Sequence, residues 1–160
     1  PVVFFEDKMM YQLKGPVPQE EYTIPLGVAD VKREGKDITL VATSSMVQVA
    51  LAAALAHVKS GISAEVVDVR TTAPLDKQTM IESVRKTARA IVIDEGYEGY
   101  GVTAEIAAAI ADGAFYYLDA PVKRMGAMDV PVPFSPVLED QTVPTPEKIA
   151  EMARRLCNKQ

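Results

Sequence analysis

Apolar, β-branched residues gather in short continuous runs rather than in strict alternation. Ile38-Thr39-Leu40-Val41-Ala42 is the clearest of these. A run that is apolar at successive positions suits a strand covered on both faces, because neighbouring side chains point to opposite sides of a sheet. Ala64 to Val69 and Ala90 to Asp94 repeat the pattern. Between them lie segments of helical character. Met46 to Lys59 is rich in Ala and Leu, follows the cap-forming Thr43-Ser44-Ser45 and is stopped by Gly61. Pro74-Leu75-Asp76 opens a helix from Lys77 to Thr87. A glycine-rich loop, Gly96 to Gly101, precedes a helix from Val102 to Ala111. Thr145-Pro146-Glu147 starts a last helix, Lys148 to Leu156.

Other stretches are less regular. Gly27 to Val31 reads as a short strand ended by Arg33-Glu34-Gly35-Lys36, and either Phe115 to Leu118 or Val122 to Met125 continues the sheet. Pro131 to Pro146 reads as proline-rich and irregular. Upstream, Pro1 to Glu6 reads as a short apolar strand and Asp7 to Tyr11 as a turn or short helix. Gly15 to Glu21 has linker chemistry. A lone strand before a linker has nothing local to pair with. Residues 1–24 are therefore expected to be the tail of an upstream domain plus a connection, and residues 25–160 a domain of their own. The alternative is that the first strand is an edge strand of the same domain. Alternating strands and helices predict an α/β fold, a three-layer α/β/α sandwich with a mostly parallel sheet. Ile38–Ala42, Ala64–Val69 and Ala90–Asp94 are its adjacent central strands.

Composition narrows the function. The 160 residues are 48% hydrophobic and 24% charged, which is globular rather than disordered. A net charge of −5 disfavours binding to a phosphate backbone, so no nucleic-acid partner is expected. The single cysteine, Cys157, excludes an intrachain disulfide and a cysteine-based zinc cluster. No apolar run approaches the about 20 residues needed to cross a bilayer, so no membrane partner is expected. A reducing cytoplasmic compartment fits this composition.

Ligands of parallel sheets gather beyond the strand C-termini. Gly99-Tyr100-Gly101-Val102-Thr103-Ala104 matches G-x-G-x-x-A at a helix start, and Asp119 follows Gly99 by twenty positions. Together they resemble a dinucleotide fingerprint. However, residues 95–98 separate the first glycine from the strand, and Asp94, Glu95 and Glu98 would repel a pyrophosphate. The other reading is a loop followed by a helix packed on the sheet. Thr43-Ser44-Ser45 suits either a phosphate or ordinary capping. Asp94-Glu95 is the best carboxylate pair but has no converging partner in the sequence. His57 lies late in a helix without a marked proton-transfer partner, and Cys157 reads as packing or surface. Met9, Met10, Met125 and Met128 read as gap-filling or interface residues. The Val130 to Pro146 stretch carries Phe134, Val137 and Leu138, an apolar set that suits a partner surface.

Four segments, in order, resemble the beta subunit of thiamine diphosphate-dependent 2-oxo acid dehydrogenases, and the resemblance covers essentially the whole chain. Pro1 to Tyr11 is similar to the segment that closes the family's pyrimidine-binding domain. Ile24 to Thr39 is similar to the entry into its transketolase-like C-terminal domain. Val67-Asp68-Val69-Arg70-Thr71-Thr72-Ala73-Pro74-Leu75-Asp76 and Val130-Pro131-Val132-Pro133-Phe134-Ser135-Pro136-Val137-Leu138-Glu139 resemble two stretches within that domain. The opening residues 6–11 and the run Gly27 to Asp37 look most like the acetoin dehydrogenase branch, with pyruvate and branched-chain relatives close by.

The resemblance implies an oxidoreductase in which thiamine diphosphate and Mg2+ are bound by other parts of the complex. The activating glutamate would lie in an N-terminal half and the diphosphate site on an alpha subunit. No catalytic, cofactor-binding or metal-binding residue is therefore assigned to this chain, which alone is expected to be inactive. The implied partners are the alpha subunit, a second beta subunit in an α2β2 assembly, and the subunit-binding domain of a lipoyl acyltransferase. By the same resemblance, Asp119 and the terminal carboxylate after Gln160 are the candidate acidic contacts for that basic domain. Both also suit solvated surface charge.

Overall fold

The computed structural model describes residues 1–3, 6–58 and 61–157. Its elements in chain order are β1 (Asp30–Arg33), β2 (Ile38–Ala42), α1 (Met46–Val58), β3 (Ala64–Asp68), α2 (Lys77–Thr87), β4 (Ala90–Tyr97), α3 (Val102–Ala114), β5 (Lys123–Ala127), α4 (Pro136–Thr142) and α5 (Pro146–Cys157). Short 3-10 helices occupy Lys8–Gln12 and Phe115–Tyr117. Five strands form one sheet in the order β1-β3-β2-β4-β5. The β3-β2, β2-β4 and β4-β5 pairs are parallel, and β1 is an antiparallel edge. The three expected central strands are indeed neighbours, with β2 in the middle.

All five residues of β2 are buried. On one face Ile38, Leu40, Ala64, Val66, Ile91 and Ile93 pack under α1 and α5, with Val47, Ala50, Ala54, Ile149 and Ala153 in the same cluster. On the other face Val41, Val67 and Val92 pack under α2 and α3, against Met80, Val84, Ile106 and Ile110. The result is the expected three-layer sandwich. The small residues Ala50, Ala53 and Ala54 let α1 approach both the sheet and α5 closely.

Several boundaries differ from the sequence reading. The first strand begins at Asp30 rather than Gly27. Gly27 sits in a turn with φ +75°, and its N–H donates to Thr71 Oγ1 at 2.9 Å. The Ala29 N–H donates to Asp76 Oδ2 at 2.9 Å, so neither amide is available to the ladder. Strand β4 runs on to Tyr97 through the expected glycine loop, because Tyr97 pairs with Ala127 across an irregularity in the β4-β5 ladder. Of the two candidates for the last strand, residues 123–127 are used, while Phe115 to Tyr117 form a 3-10 turn. The proline-rich stretch contains α4, with Pro136 in the first turn, where its missing N–H matters least. Residues 1–3 and Glu6 are not strand. Among the described residues no strand pairs with them, while Phe4 and Phe5 lie outside the described residues.

One polar cluster ties the antiparallel edge to the second helical layer. Glu65 lies on β3 with its side chain fully buried, and Lys86 of α2 forms an ion pair with it. Lys86 also pairs with Glu34 at 2.6 Å, and the Gly35 N–H donates to Glu65 Oε2 at 3.1 Å. A Cβ at Gly35 would stand 2.2 Å from the Glu65 nitrogen, so only glycine allows this close approach. Hydrogen bonds from Lys86 to Glu34 and Glu65 raise the Lys86 pKa despite its partial burial, and the Lys86 bond is the chief cause that lowers Glu34.

Lys86→Met leaves the buried Glu65 carboxylate without its cation. This should cost about 3 kcal/mol in urea unfolding, the lower end of the usual range because Lys86 is half exposed. Lys86→Met combined with Glu65→Met should recover most of that loss, and a double variant no more stable than the single one would count against the pairing. Because folding raises the Lys86 pKa, its contribution is complete below about pH 10.4, the ordinary lysine value, and disappears as pH rises through the higher folded value.

Candidate functional site

The connection from β2 to β3 leaves in one direction and that from β3 to β4 returns past β2. The strand order therefore reverses between the C-terminal ends of β2 and β4, which is where open α/β sheets usually hold a ligand. Here the crevice is furnished by the chain itself. The Thr43 hydroxyl donates to Asp94 Oδ1, the Ser45 hydroxyl to Glu95 Oε2, and the Gly96 N–H to Asp94 Oδ2 at 2.9 Å. Two of the three expected capping residues, Thr43 and Ser45, thus spend their hydroxyl protons on the carboxylate pair. Two acids at this position do not fit the diphosphate of thiamine diphosphate, since they would repel it. Among the described residues no group of three or more His, Cys, Asp or Glu side chains converges as for a metal ion. No step of cofactor chemistry is assigned to these residues.

The two parts of the dinucleotide pattern lie at opposite ends of the sheet. Gly99 and Gly101 follow the C-terminal end of β4, whereas the Asp119 N–H bonds to the Ala88 carbonyl beside the N-terminal end of β4, at 2.9 Å. Gly101 serves packing: a Cβ there would stand 2.0 Å from the Tyr97 carbonyl oxygen. The loop reading is the one the geometry supports.

At the N-terminal end of the strands Asp119 has a well-defined setting. Its Oδ2 accepts from Arg89 Nη2 at 2.9 Å, with 48% of the Asp119 side chain exposed against 15% of that of Arg89. Arg89 Nε donates to the Leu156 carbonyl in the last turn of α5 at 3.0 Å, and Nη1 reaches the Asp37 carbonyl at 3.5 Å. Asp119 and the end of α5 are thereby in one place. Cys157 beside them donates weakly to Asp37, and burial raises its thiol pKa. Beside Asp119 a groove of about 740 Å³ is floored by Ala107, Ala108 and Ala111 of α3 and walled by Phe115, Leu118 and Pro121. Gln160 lies outside the described residues.

Phe134, Val137 and Leu138 are placed by the chain beyond β5. All three are exposed, with Phe134 wholly so. Tyr97 at the end of β4, and Tyr100, Met128 and Val132 in the segments that follow β4 and β5, add exposed apolar surface. Met125 packs against the core and Met9 is exposed, while His57 lies in the last turn of α1. Sequence reasoning did not single out Arg89, Lys86 or Glu65. Glu65, an acid at the second position of the otherwise apolar start of the Ala64–Val69 run, was the available sign that a buried cation partner exists. Nothing local marked Arg89, whose three acceptors lie 30 to 67 positions away.

The geometry defines a three-layer α/β domain with a five-stranded, mostly parallel sheet. Residues 27–149 match the family model described as transketolase, C-terminal domain, and the chain belongs to that family. It is 52% identical over 156 residues to the acetoin:2,6-dichlorophenolindophenol oxidoreductase subunit beta of Bacillus subtilis, covering 98% of this chain and 46% of the relative. It is 43% identical over 161 residues to the mitochondrial pyruvate dehydrogenase E1 component subunit beta-1 of Arabidopsis thaliana, covering 98% and 44%. A solved split-gene transketolase, described as an inactive β4 tetramer, superposes with a TM-score of 0.71 at 27% identity, covering 89% of this chain and 45% of that one. The chain spans less than half the length of the curated relatives it matches.

Gly101→Ala should destabilise the fold by about 1–3 kcal/mol through overpacking against Tyr97, measured by urea unfolding. A nicotinamide titration of the unaltered chain should show no saturable binding.

Proposed function

We propose that this chain is the assembly domain of the beta subunit of a thiamine diphosphate-dependent dehydrogenase component, acetoin dehydrogenase-like, that passes an acyl group to a lipoyl acyltransferase core. Pyruvate and branched-chain 2-oxo acids are the alternative substrates. Identity of 52% to the acetoin-linked subunit of Bacillus subtilis, against 47% to the pyruvate-linked one of the same organism, favours the first. Residues 1–24 are the tail of an upstream domain and its linker, and residues 25–160 the assembly domain. In support, nearly all of the described residues among 1–26 are exposed, and the family match begins at residue 27. Thiamine diphosphate and Mg2+ belong to other parts of the complex. Among the described residues no helix is long and apolar enough to cross a membrane; a cytoplasmic complex is the reading adopted.

The observation that carries the proposal is the union of Asp119 with the end of α5 beside an apolar groove. An acid at the rim of an apolar surface suits a basic partner, with the apolar part supplying contact area and the acid orientation. This is the surface for the acyltransferase's subunit-binding domain. Phe134, Val137 and Leu138 form a second surface, for the alpha subunit or a second beta subunit in an α2β2 assembly.

Calorimetry with a purified subunit-binding domain should show binding that weakens as salt rises, since exposed charges are screened over about 8–10 Å. It should also weaken on Asp119→Asn. Salt-insensitive binding would remove the electrostatic account. The chain alone should turn over neither acetoin nor pyruvate when supplied with thiamine diphosphate and Mg2+, and measurable turnover would overturn its assignment to assembly.

A further inference from the structure

We infer that Arg89 is the positioning residue of the docking surface: its guanidinium fixes the Asp119 carboxylate and the last turn of α5 relative to one another, so that a cationic partner meets both already oriented. The inference rests on the docking reading above but concerns a residue that reading does not use. Three nitrogens of Arg89 serve three separate segments. Nη2 donates to Asp119 at 2.9 Å, Nε to the Leu156 carbonyl at 3.0 Å and Nη1 to the Asp37 carbonyl at 3.5 Å. The Leu156 carbonyl belongs to the last turn of α5, and Arg89 supplies a donor to it from another element.

The backbone around Arg89 is itself fixed. Ala88 is in the left-handed conformation with φ +59°, and its N–H closes α2 onto the Val84 carbonyl at 2.7 Å. The Arg89 carbonyl accepts from the Thr39 N–H at 2.9 Å, and the Asp119 N–H bonds to the Ala88 carbonyl at 2.9 Å. Asp119 is thus held through its backbone by residue 88 and through its side chain by residue 89. A planar guanidinium has the fork of donors that this arrangement needs, whereas an ammonium at the same place retains the charge but not the geometry.

Two effects of Arg89 on docking have opposite signs. Its charge offsets that of Asp119 and weakens attraction for a cation. Its hydrogen bonds remove the freedom that the half-exposed carboxylate would otherwise lose on binding. Arg89→Lys separates them, because it keeps the charge and loses the geometry. Calorimetry of the full chain with the acyltransferase subunit-binding domain should show about five- to tenfold weaker docking for Arg89→Lys, a coupling of the size found between contacting residues. In an Asp119→Asn background the same change should cost clearly less, since only the hold on the end of α5 is left to lose. A merely structural role for Arg89 would instead give the same loss in both backgrounds, and that outcome overturns the inference, as does unchanged or tighter docking by Arg89→Lys. If Arg89→Lys melts below the assay temperature, Asp119→Glu gives a second reading, since it keeps the charge but moves the carboxylate off the guanidinium. Undiminished docking of that variant overturns the inference. No docking by the unaltered chain overturns the docking reading and this inference with it, whereas docking by the unaltered chain that Arg89→Lys leaves intact overturns only the inference.

Discussion

Strand β2 has no residue in contact with solvent. Its side chains point alternately to two faces, so each face must be roofed, and a sheet roofed on both faces is a three-layer molecule. The other principal features follow from that. Two neighbouring strands, β3 and β4, must shield its edges. Helices α1 and α5 must close one face and α2 and α3 the other. With its middle filled by Ile, Val, Leu and Ala, the domain has room for polar specificity only at the two ends of the strands and along its outer edges.

The edges show how expensive charge is in such a body. Asp30 and Asp68 face one another across the β1-β3 pair, and Lys32 lies between them, 2.8 Å from Asp30 and 3.7 Å from Asp68. Arg70 adds a second cation to Asp30 at 2.7 Å. Bonding to Lys32 is the first cause of the lowered Asp30 pKa, against the upward push of burial. Like charges directly opposite on a sheet repel, and here the repulsion is offset residue by residue. Asp76 at the start of α2 follows the same rule. Burial pushes its pKa up, but the Thr79 hydroxyl and the N–H groups of Ala29, Thr79 and Gln78 together bring it below the ordinary value.

What could be read from the chain beforehand was what depends on nearest neighbours. The runs Ile38–Ala42, Ala64–Val69 and Ala90–Asp94 announce strands because each residue reports its own burial. Four of the helices announce themselves by composition and breakers. The places where reading failed are those where distant atoms decide. Gly27 to Ala29 leave the sheet because Thr71 and Asp76, more than 40 positions away, take their amides. Residues 94–97 stay in the sheet because Ala127 offers a partner. Helix α4 was hidden by prolines counted as breakers, although Pro136 stands where a helix tolerates one. Asp119 was singled out through family resemblance, but Arg89, which joins it to α5, was not, since no local pattern specifies an arginine with three remote acceptors.

The hydroxyl–carboxylate pairs at the β2-β4 crevice have a consequence in terms of competition. Thr43, Ser45, Asp94 and Glu95 occupy the position where this class of sheet usually receives a ligand. They are attached to the walls they bind, so their effective concentration is fixed by geometry, on the order of millimolar or above for tethered groups. A free anion entering the crevice must displace partners that never diffuse away, and must do so beside two negative charges. At the customary pocket the chain is thus its own competitor for an anion.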